Sequence, residues 1–150
     1  MTNLINLDLS AIVIEQMQAR YHTPGSVHYR PGMKFLQGDA SALCATFGAN
    51  SMDVIVDKGT VHSVLLLRGG TKLCNELAQD IYGALAPGGR FVLVAGVQPG
   101  LAQYLRSPEL RWRVSFKTIV PGGGGTRGKN HSSEANGRAI YIFTFIKPRD

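Results

Sequence analysis

The chain has 150 residues, of which 44% are hydrophobic, enough for one domain that buries about 70% of the surface its unfolded form would expose. It holds no apolar run of about 18 residues that could span a bilayer, and its start shows no basic stretch leading into an apolar core and cleavage site, so a cytoplasmic protein is expected rather than a membrane or secreted one. The net charge of +6 is uneven: residues 1–105 balance seven Lys/Arg against seven Asp/Glu, while residues 106–150 hold nine against three, which suits an acidic protein or RNA partner, or a basic face that aids solubility.

Residues 4–8 read as a short strand stopped by Asp8, and Ser10 follows where a helix N-cap would sit. Val13, Ile14, Met17 and Tyr21 then recur at helical spacing, which predicts a helix ending before Pro24-Gly25. Met33 to Gln37 reads as a second strand, stopped by Gly38-Asp39. Met52 to Val56 reads as a third, and its consecutive Val54, Ile55 and Val56 predict a central parallel strand covered on both faces. A short helix is expected between Thr60 and Leu67, broken by Gly69-Gly70. Leu73, Leu77, Ile81 and Leu85, with Cys74 and Ala78 beside them, predict an amphipathic helix ending at Pro87-Gly88-Gly89. Phe91 to Val97 follows as a buried strand, and Leu101 to Leu105 reads as helical. Trp112 to Val120 and Ala139 to Ile146 then read as two consecutive strands, hence an antiparallel pair. Their connector, Pro121 to Gly137, holds five Gly in its first eight residues and exceeds the usual loop length. Because a strand follows it, it reads as a hairpin lip rather than a phosphate loop.

In open α/β sheets, ligands sit outside the carboxyl ends of the strands. Asp8, Gly38-Asp39 and Asp57-Lys58-Gly59-Thr60 fall at three successive strand ends and so suggest one shared crevice. A carboxylate at Asp8 can accept both hydroxyls of a ribose, or it can be a helix-start acid. Gly38 allows close approach of a flat ring and Asp39 can accept from an exocyclic amine, although Gly-Asp is also an everyday turn. The Asp57 to Thr60 segment forms either a polar lip where cofactor and substrate meet or a solvated Asp57–Lys58 pair. His22, His28, His62 and His131 share no ligand spacing, and Cys44 and Cys74 have no CxxC or Cys/His cluster nearby, so no metal site is expected and both thiols read as free and buried. His62 is the histidine nearest the proposed crevice. No residue stands out as a catalytic acid, base or nucleophile.

The order Asn6-Leu7-Asp8-Leu9-Ser10, Gly38-Asp39-Ala40, Asp53 to Thr60 and Leu85-Ala86-Pro87-Gly88-Gly89-Arg90 resembles the class I, seven-strand AdoMet-dependent methyltransferases over nearly the whole chain. The Asp-Lys-Gly-Thr element is similar to the methyltransferase-like group that includes lysine methyltransferases of elongation factor 1-alpha and of citrate synthase. The resemblance implies an α/β fold with a Rossmann-like, mostly parallel sheet and a C-terminal antiparallel strand pair. It implies S-adenosyl-L-methionine (AdoMet) as cofactor, with Asp8, Leu9 and Ser10 at the ribose, Asp39 and Ala40 at the adenine, and Asp57 and Lys58 near the methionine and methyl group. Gly59, Thr60 and His62 would face a substrate, which would be a protein lysine or another amine. The family's first strand and its Gly-rich AdoMet loop have no counterpart in the chain, and His62 stands where relatives generally carry an acid. Residues 1–150 are therefore expected to be a single, partial methyltransferase domain, N-terminally incomplete, with a sheet gap between the strands at Leu4 and Met52 and with poor AdoMet affinity.

Two other readings stay open. One is a non-catalytic, methyltransferase-derived module that holds an acidic protein or RNA through its basic C-terminal third. The other is a nicotinamide-dependent Rossmann protein, which an acid after a second strand would also suit. The methyl acceptor and the oligomeric state are not specified by the sequence.

Overall fold

The structure, a computed structural model, describes residues 3–96, 99–120 and 139–149. β1 (Leu4–Asp8) pairs in parallel with β2 (Met33–Gln37), and α1 (Ala11–His22) packs on both. The Ser10 hydroxyl accepts from the Val13 N–H, satisfying one of the donors that a helix start leaves unpaired. Of the apolar stripe read for α1, Ile14 alone is buried and Val13 is exposed. A sheet of two strands is too narrow to cover a wider stripe.

β3 (Met52–Asp57), α3 (Thr60–Leu65), α4 (Gly70–Ala84), β4 (Leu85–Ala95), a 3₁₀ segment (Pro99–Leu105), β5 (Arg113–Ile119) and β6 (Ile140–Ile146) complete the described elements, after a 3₁₀ turn (Ala40–Ala42) and α2 (Leu43–Phe47) that the sequence pattern does not announce. α2 has five residues, too few to be stable alone. It is held from outside: Asp80 of α4 accepts from the Leu43 N–H at 2.5 Å and from the Cys44 N–H at 3.3 Å. α3 and α4 meet where Gly70 is required, because a Cβ there would lie 2.5 Å from the Leu65 carbonyl oxygen. α4 stops at Ala84, earlier than predicted, and Pro87-Gly88-Gly89 lies inside β4 instead of ending the helix. Leu85 already has extended backbone and is fully buried, so the core captures it into the strand.

The strands form two sheets, β1-β2 and β3-β4-β6-β5, with β3-β4 parallel and β4-β6 and β6-β5 antiparallel. This is a Rossmann-like mixed α/β fold with the expected C-terminal antiparallel pair. One expectation is overturned: β3 is not a central strand covered on both faces but the edge of its sheet, with Val54 54% and Val56 66% exposed. Its unpaired edge faces β1 across a cleft, where the missing strand was expected. The core lies on one side of the four-stranded sheet, where Leu77, Ala78 and Ile81 of α4 pack with Phe91, Leu93, Phe143 and Phe145. The connector read over Pro121 to Gly137, with His131, lies outside the described residues, as does Val97, the end of the fourth predicted strand.

Candidate functional site

Chain direction turns at the cleft. From β1 the chain moves outward to β2, and from β3 it moves the other way to β4, so the strand order diverges between β1 and β3. In open α/β folds this switch point is where ligands bind, beyond the carboxyl ends of the strands. The cleft has a volume of about 430 Å³ and is lined from Leu4 to Leu7 on one side and by Val54, Ile55, Val56 and Asp57 on the other, with Ala40 and Thr60 at one end. It is mostly apolar and runs the length of both strands.

Of the residues read from sequence, Ala40, Asp57 and Thr60 line this cleft. Asp8, Leu9, Ser10, Asp39, Lys58, Gly59 and His62 sit at or next to the strand ends without lining it. Asp8 and Asp39 belong to neighbouring strand ends: Asp8 registers with Gln37, and the Gly38 N–H donates to the Asp8 carbonyl at 2.9 Å. Gln37 adds a side-chain bond to the Leu9 carbonyl at 3.2 Å.

Each of the three carboxylates also starts the segment after it. Asp8 Oδ1 accepts from the Ser10 N–H at 2.8 Å. Asp39 Oδ1 accepts from the Ser41 N–H and from the Ser41 hydroxyl, both at 2.8 Å. These bonds, the backbone one foremost, hold the Asp39 carboxyl below its ordinary pKa. Asp57, only 8% exposed, uses both oxygens, Oδ1 on the Thr60 N–H at 2.9 Å and Oδ2 on the Val61 N–H at 3.1 Å. It is thus a buried helix cap rather than one half of a solvated pair with Lys58. Gly59 makes that turn possible with a φ of 113°, a region side chains rarely adopt. Lys58, Thr60 and His62 project from the same turn as exposed residues.

Cys74 is buried and Cys44 half-buried. Burial, and then the nearby Asp57 for Cys74 and Asp80 for Cys44, push both thiols above their ordinary pKa. Asp80 and Lys147 were missed by sequence reasoning. Lys147 Nζ donates to Asn50 Oδ1, the Tyr82 carbonyl and the Leu85 carbonyl at 2.7–2.8 Å, tying the end of β6 to the end of α4. The signal for Asp80 was present as a single acid next to Ile81 on the helix read as amphipathic.

The architecture, with polar strand ends around a cleft at the switch point, is that of the open α/β domains in which ligands sit outside the carboxyl ends of the strands. The methyltransferase domain family matches residues 1–93, and the chain belongs to that family. Its cofactor is S-adenosyl-L-methionine. The chain is 26% identical to an eEF1A lysine and N-terminal methyltransferase of Xenopus laevis, over 98% of this chain and 20% of that protein. It is 30% identical to the protein of the same description from Mus musculus, over 96% and 20%, and 27% identical to EEF1A lysine methyltransferase 4 of Mus musculus, over 65% and 38%. The chain thus spans about a fifth of the first of these relatives. Among solved structures, a SAM-dependent methyltransferase from Methanosarcina mazei superimposes with a TM-score of 0.66 at 17% identity, covering 97% of this chain and 82% of that one. A 16S rRNA (adenine(1408)-N(1))-methyltransferase from Catenulisporales acidiphilia gives 0.65 at 10% identity, covering 98% and 78%. These two confirm the fold, and a fold alone does not select a methyl acceptor.

The described residues fit the nucleoside half of the cofactor. Asp8 and Asp39 each commit one carboxylate oxygen to their own turn and leave the other available at adjacent strand ends. The methionine half is less well provided, since Asp57 has both oxygens engaged and the cleft beside it is open along β1 and β3.

Proposed function

We propose that residues 1–150 form a methyltransferase domain that binds AdoMet at the ends of β1, β2 and β3 and serves transfer of its methyl group to a protein lysine or another amine in the cytoplasm. The observation that carries this reading is the placing of Asp8, Asp39 and Asp57 at successive strand ends around the switch point. Asp8 with Leu9 and Ser10 would hold the ribose, and Asp39 with Ala40 would border the adenine. Asp57 and Lys58 would lie toward the methionine, with Gly59, Thr60 and His62 facing the acceptor. The similarity to eEF1A methyltransferases supports a protein acceptor. When bound, AdoMet would supply a sulfonium methyl group for transfer to the amine nitrogen, with the neutral thioether as leaving group. The protein's share is to position the amine in line and keep water out. A free lysine with pKa about 10.4 must first be deprotonated.

The open cleft supports a qualification: the chain by itself binds AdoMet more weakly than micromolar. Calorimetry on the purified chain tests this, and a micromolar Kd contradicts it. Transfer of label from AdoMet to eEF1A, or to another protein of a cell extract, tests the activity. The competing reading, a non-catalytic module, is favoured by the commitment of both Asp57 oxygens to α3 and predicts no transfer at any AdoMet concentration.

A further inference from the structure

A cationic and aromatic cluster lies at the end of the strands opposite the candidate site. β1 and β2 are parallel, and α1 runs back from the carboxyl end of β1, so the last turn of α1 meets the start of β2. His22 Nε2 donates to the Met33 carbonyl there at 2.8 Å. Arg20 and His22 sit on that turn, His28, Tyr29 and Arg30 on the connecting loop and Lys34 on β2, all of them exposed. No Asp or Glu occurs from residue 16 to residue 38. Among the described residues, no carboxylate oxygen lies within 4.0 Å of the Arg20, Arg30 or Lys34 nitrogens. β2 covers about 13 Å from Met33 to Gln37, which puts Asp8 and Asp39 at the far strand ends.

The rings of this cluster are held from below. Phe35, 4% exposed, stacks on Tyr21 with centroids 5.8 Å apart and meets His22 edge-on at 5.4 Å. Tyr21 in turn meets His28 at 6.1 Å. The Arg20 guanidinium lies 5.6 Å from the Tyr21 ring centre and donates to His28 Nε2 at 3.5 Å. The loop is closed by the Arg30 N–H on the Tyr21 carbonyl at 2.7 Å and the Tyr29 N–H on the Ser26 carbonyl at 2.9 Å. Tyr29 leaves 37% of its surface free. Cations at a helix end complement its dipole, which accounts for Arg20 and His22 but not for Arg30 and Lys34 outside the helix. Charged side chains over a loop that satisfies its own N–H groups are surface, not bared core.

We propose that this cluster binds single-stranded RNA, with Arg20, Arg30 and Lys34 on its phosphates and the Tyr29 ring, beside His28, stacked on a base. Cations interleaved with aromatic rings meet both needs of an unpaired strand, charge for the backbone and flat faces for the bases. Single strands are also the form in which RNA presents its bases. A duplex fits poorly, because its bases already stack on one another. An acidic peptide would use the charges and leave the rings idle. Because Phe35 and Arg20 already fix Tyr21 and His28, binding costs these side chains little freedom. The proposal is independent of methyl transfer.

The test is fluorescence anisotropy of a labelled oligouridylate of about 12 nucleotides on the intact chain. Affinity is expected to fall with salt at a log–log slope of about −2, as three phosphate contacts on a single strand give. Tyr29→Ala should weaken binding about 10-fold, while Tyr29→Phe, which keeps a ring, should stay within about 2-fold. Arg30→Gln/Lys34→Gln should bring the slope to about −0.7. Arg113→Ala/Lys117→Ala, in the basic C-terminal part of the chain, should leave binding unchanged. All of these positions are exposed, and circular dichroism checks that each variant folds. No binding at low salt, an unchanged affinity in Tyr29→Ala, an equal loss in Tyr29→Phe or an unchanged slope in Arg30→Gln/Lys34→Gln would each overturn the proposal. So would loss of binding in Arg113→Ala/Lys117→Ala, or equally tight binding of a duplex, an oligoglutamate peptide or phosphatidylserine vesicles.

Discussion

The two faces of the four-stranded sheet are built by the same strands and behave as different materials. On one face Phe91, Leu93, Phe143 and Phe145 interlock with α4, and the rings of Phe91 and Phe145 sit 5.6 Å apart. On the other face Val54, Val56, Val92, Val94 and Ile142 are equally apolar, yet none of them belongs to the core cluster or packs against it. Strand propensity is the same on both sides, so the difference lies wholly in tertiary cover. The covered face makes the core, and the residues of the other face contribute none of it.

The largest effect that probes this contrast is Phe145→Ala. Its ring is fully buried, so the lost burial and the cavity together should cost about 3–5 kcal/mol in urea unfolding. Val92→Thr, one sheet face away, keeps a β-branched shape and should change stability by less than about 0.5 kcal/mol. If Val92→Thr costs as much as a core substitution, the second face is covered and the contrast fails. Next in size is Lys147→Met, which removes three charge-assisted bonds at 2.7–2.8 Å that join the end of β6 to Asn50, to the last turn of α4 and to the start of β4. A loss of about 1.5–3 kcal/mol is expected by the same measurement; a loss below about 0.5 kcal/mol would show the bonds to be replaced by water.

The same contrast explains what could be read from the residues alone. β1 and β2 were legible to the residue, because Asp8 and Gly38-Asp39 interrupt short apolar runs and no competing pattern surrounds them. β3 was legible as a strand but not as an edge, since Val54-Ile55-Val56 look alike whether two helices cover them or none does. Periodicity reports what a segment can bury, and cover is decided by other segments. α2 escaped for the same kind of reason, its start being held by Asp80 from far along the chain. At the site, the acids were legible as strand-end carboxylates. Their commitment to the next N–H groups was not, because a ribose ligand and a helix cap use the same residue in the same place.

Asp57 is where those two uses can be separated. Asp57→Ala removes both acceptors at the start of α3 and should cost about 1–2 kcal/mol, while Asp57→Asn keeps one acceptor and should cost less than half as much. If AdoMet binding falls equally in both variants while stability does not, the carboxylate serves the cofactor as well as the helix. If binding tracks stability, Asp57 acts as a cap alone.

The smallest effect concerns Asp39 and pH. The Ser41 N–H, and after it the Ser41 hydroxyl, lower the Asp39 pKa from its ordinary value of 3.8. The folded value lies below the unfolded one, so between the two the unfolded chain binds more protons and stability rises with pH. The contribution is fully present above 3.8 and is lost as pH falls through the lower, folded value. Because Asp39 is exposed, solvent screening keeps it small. A carboxyl-carbon NMR titration should place the Asp39 midpoint below 3.8. Ser41→Ala should raise it only part of the way, since the backbone bond is the larger cause. A full return to the ordinary value would instead make the hydroxyl the dominant partner. It would also mean that the 3₁₀ turn after β2 forms without its cap, leaving both Asp39 oxygens available at the rim.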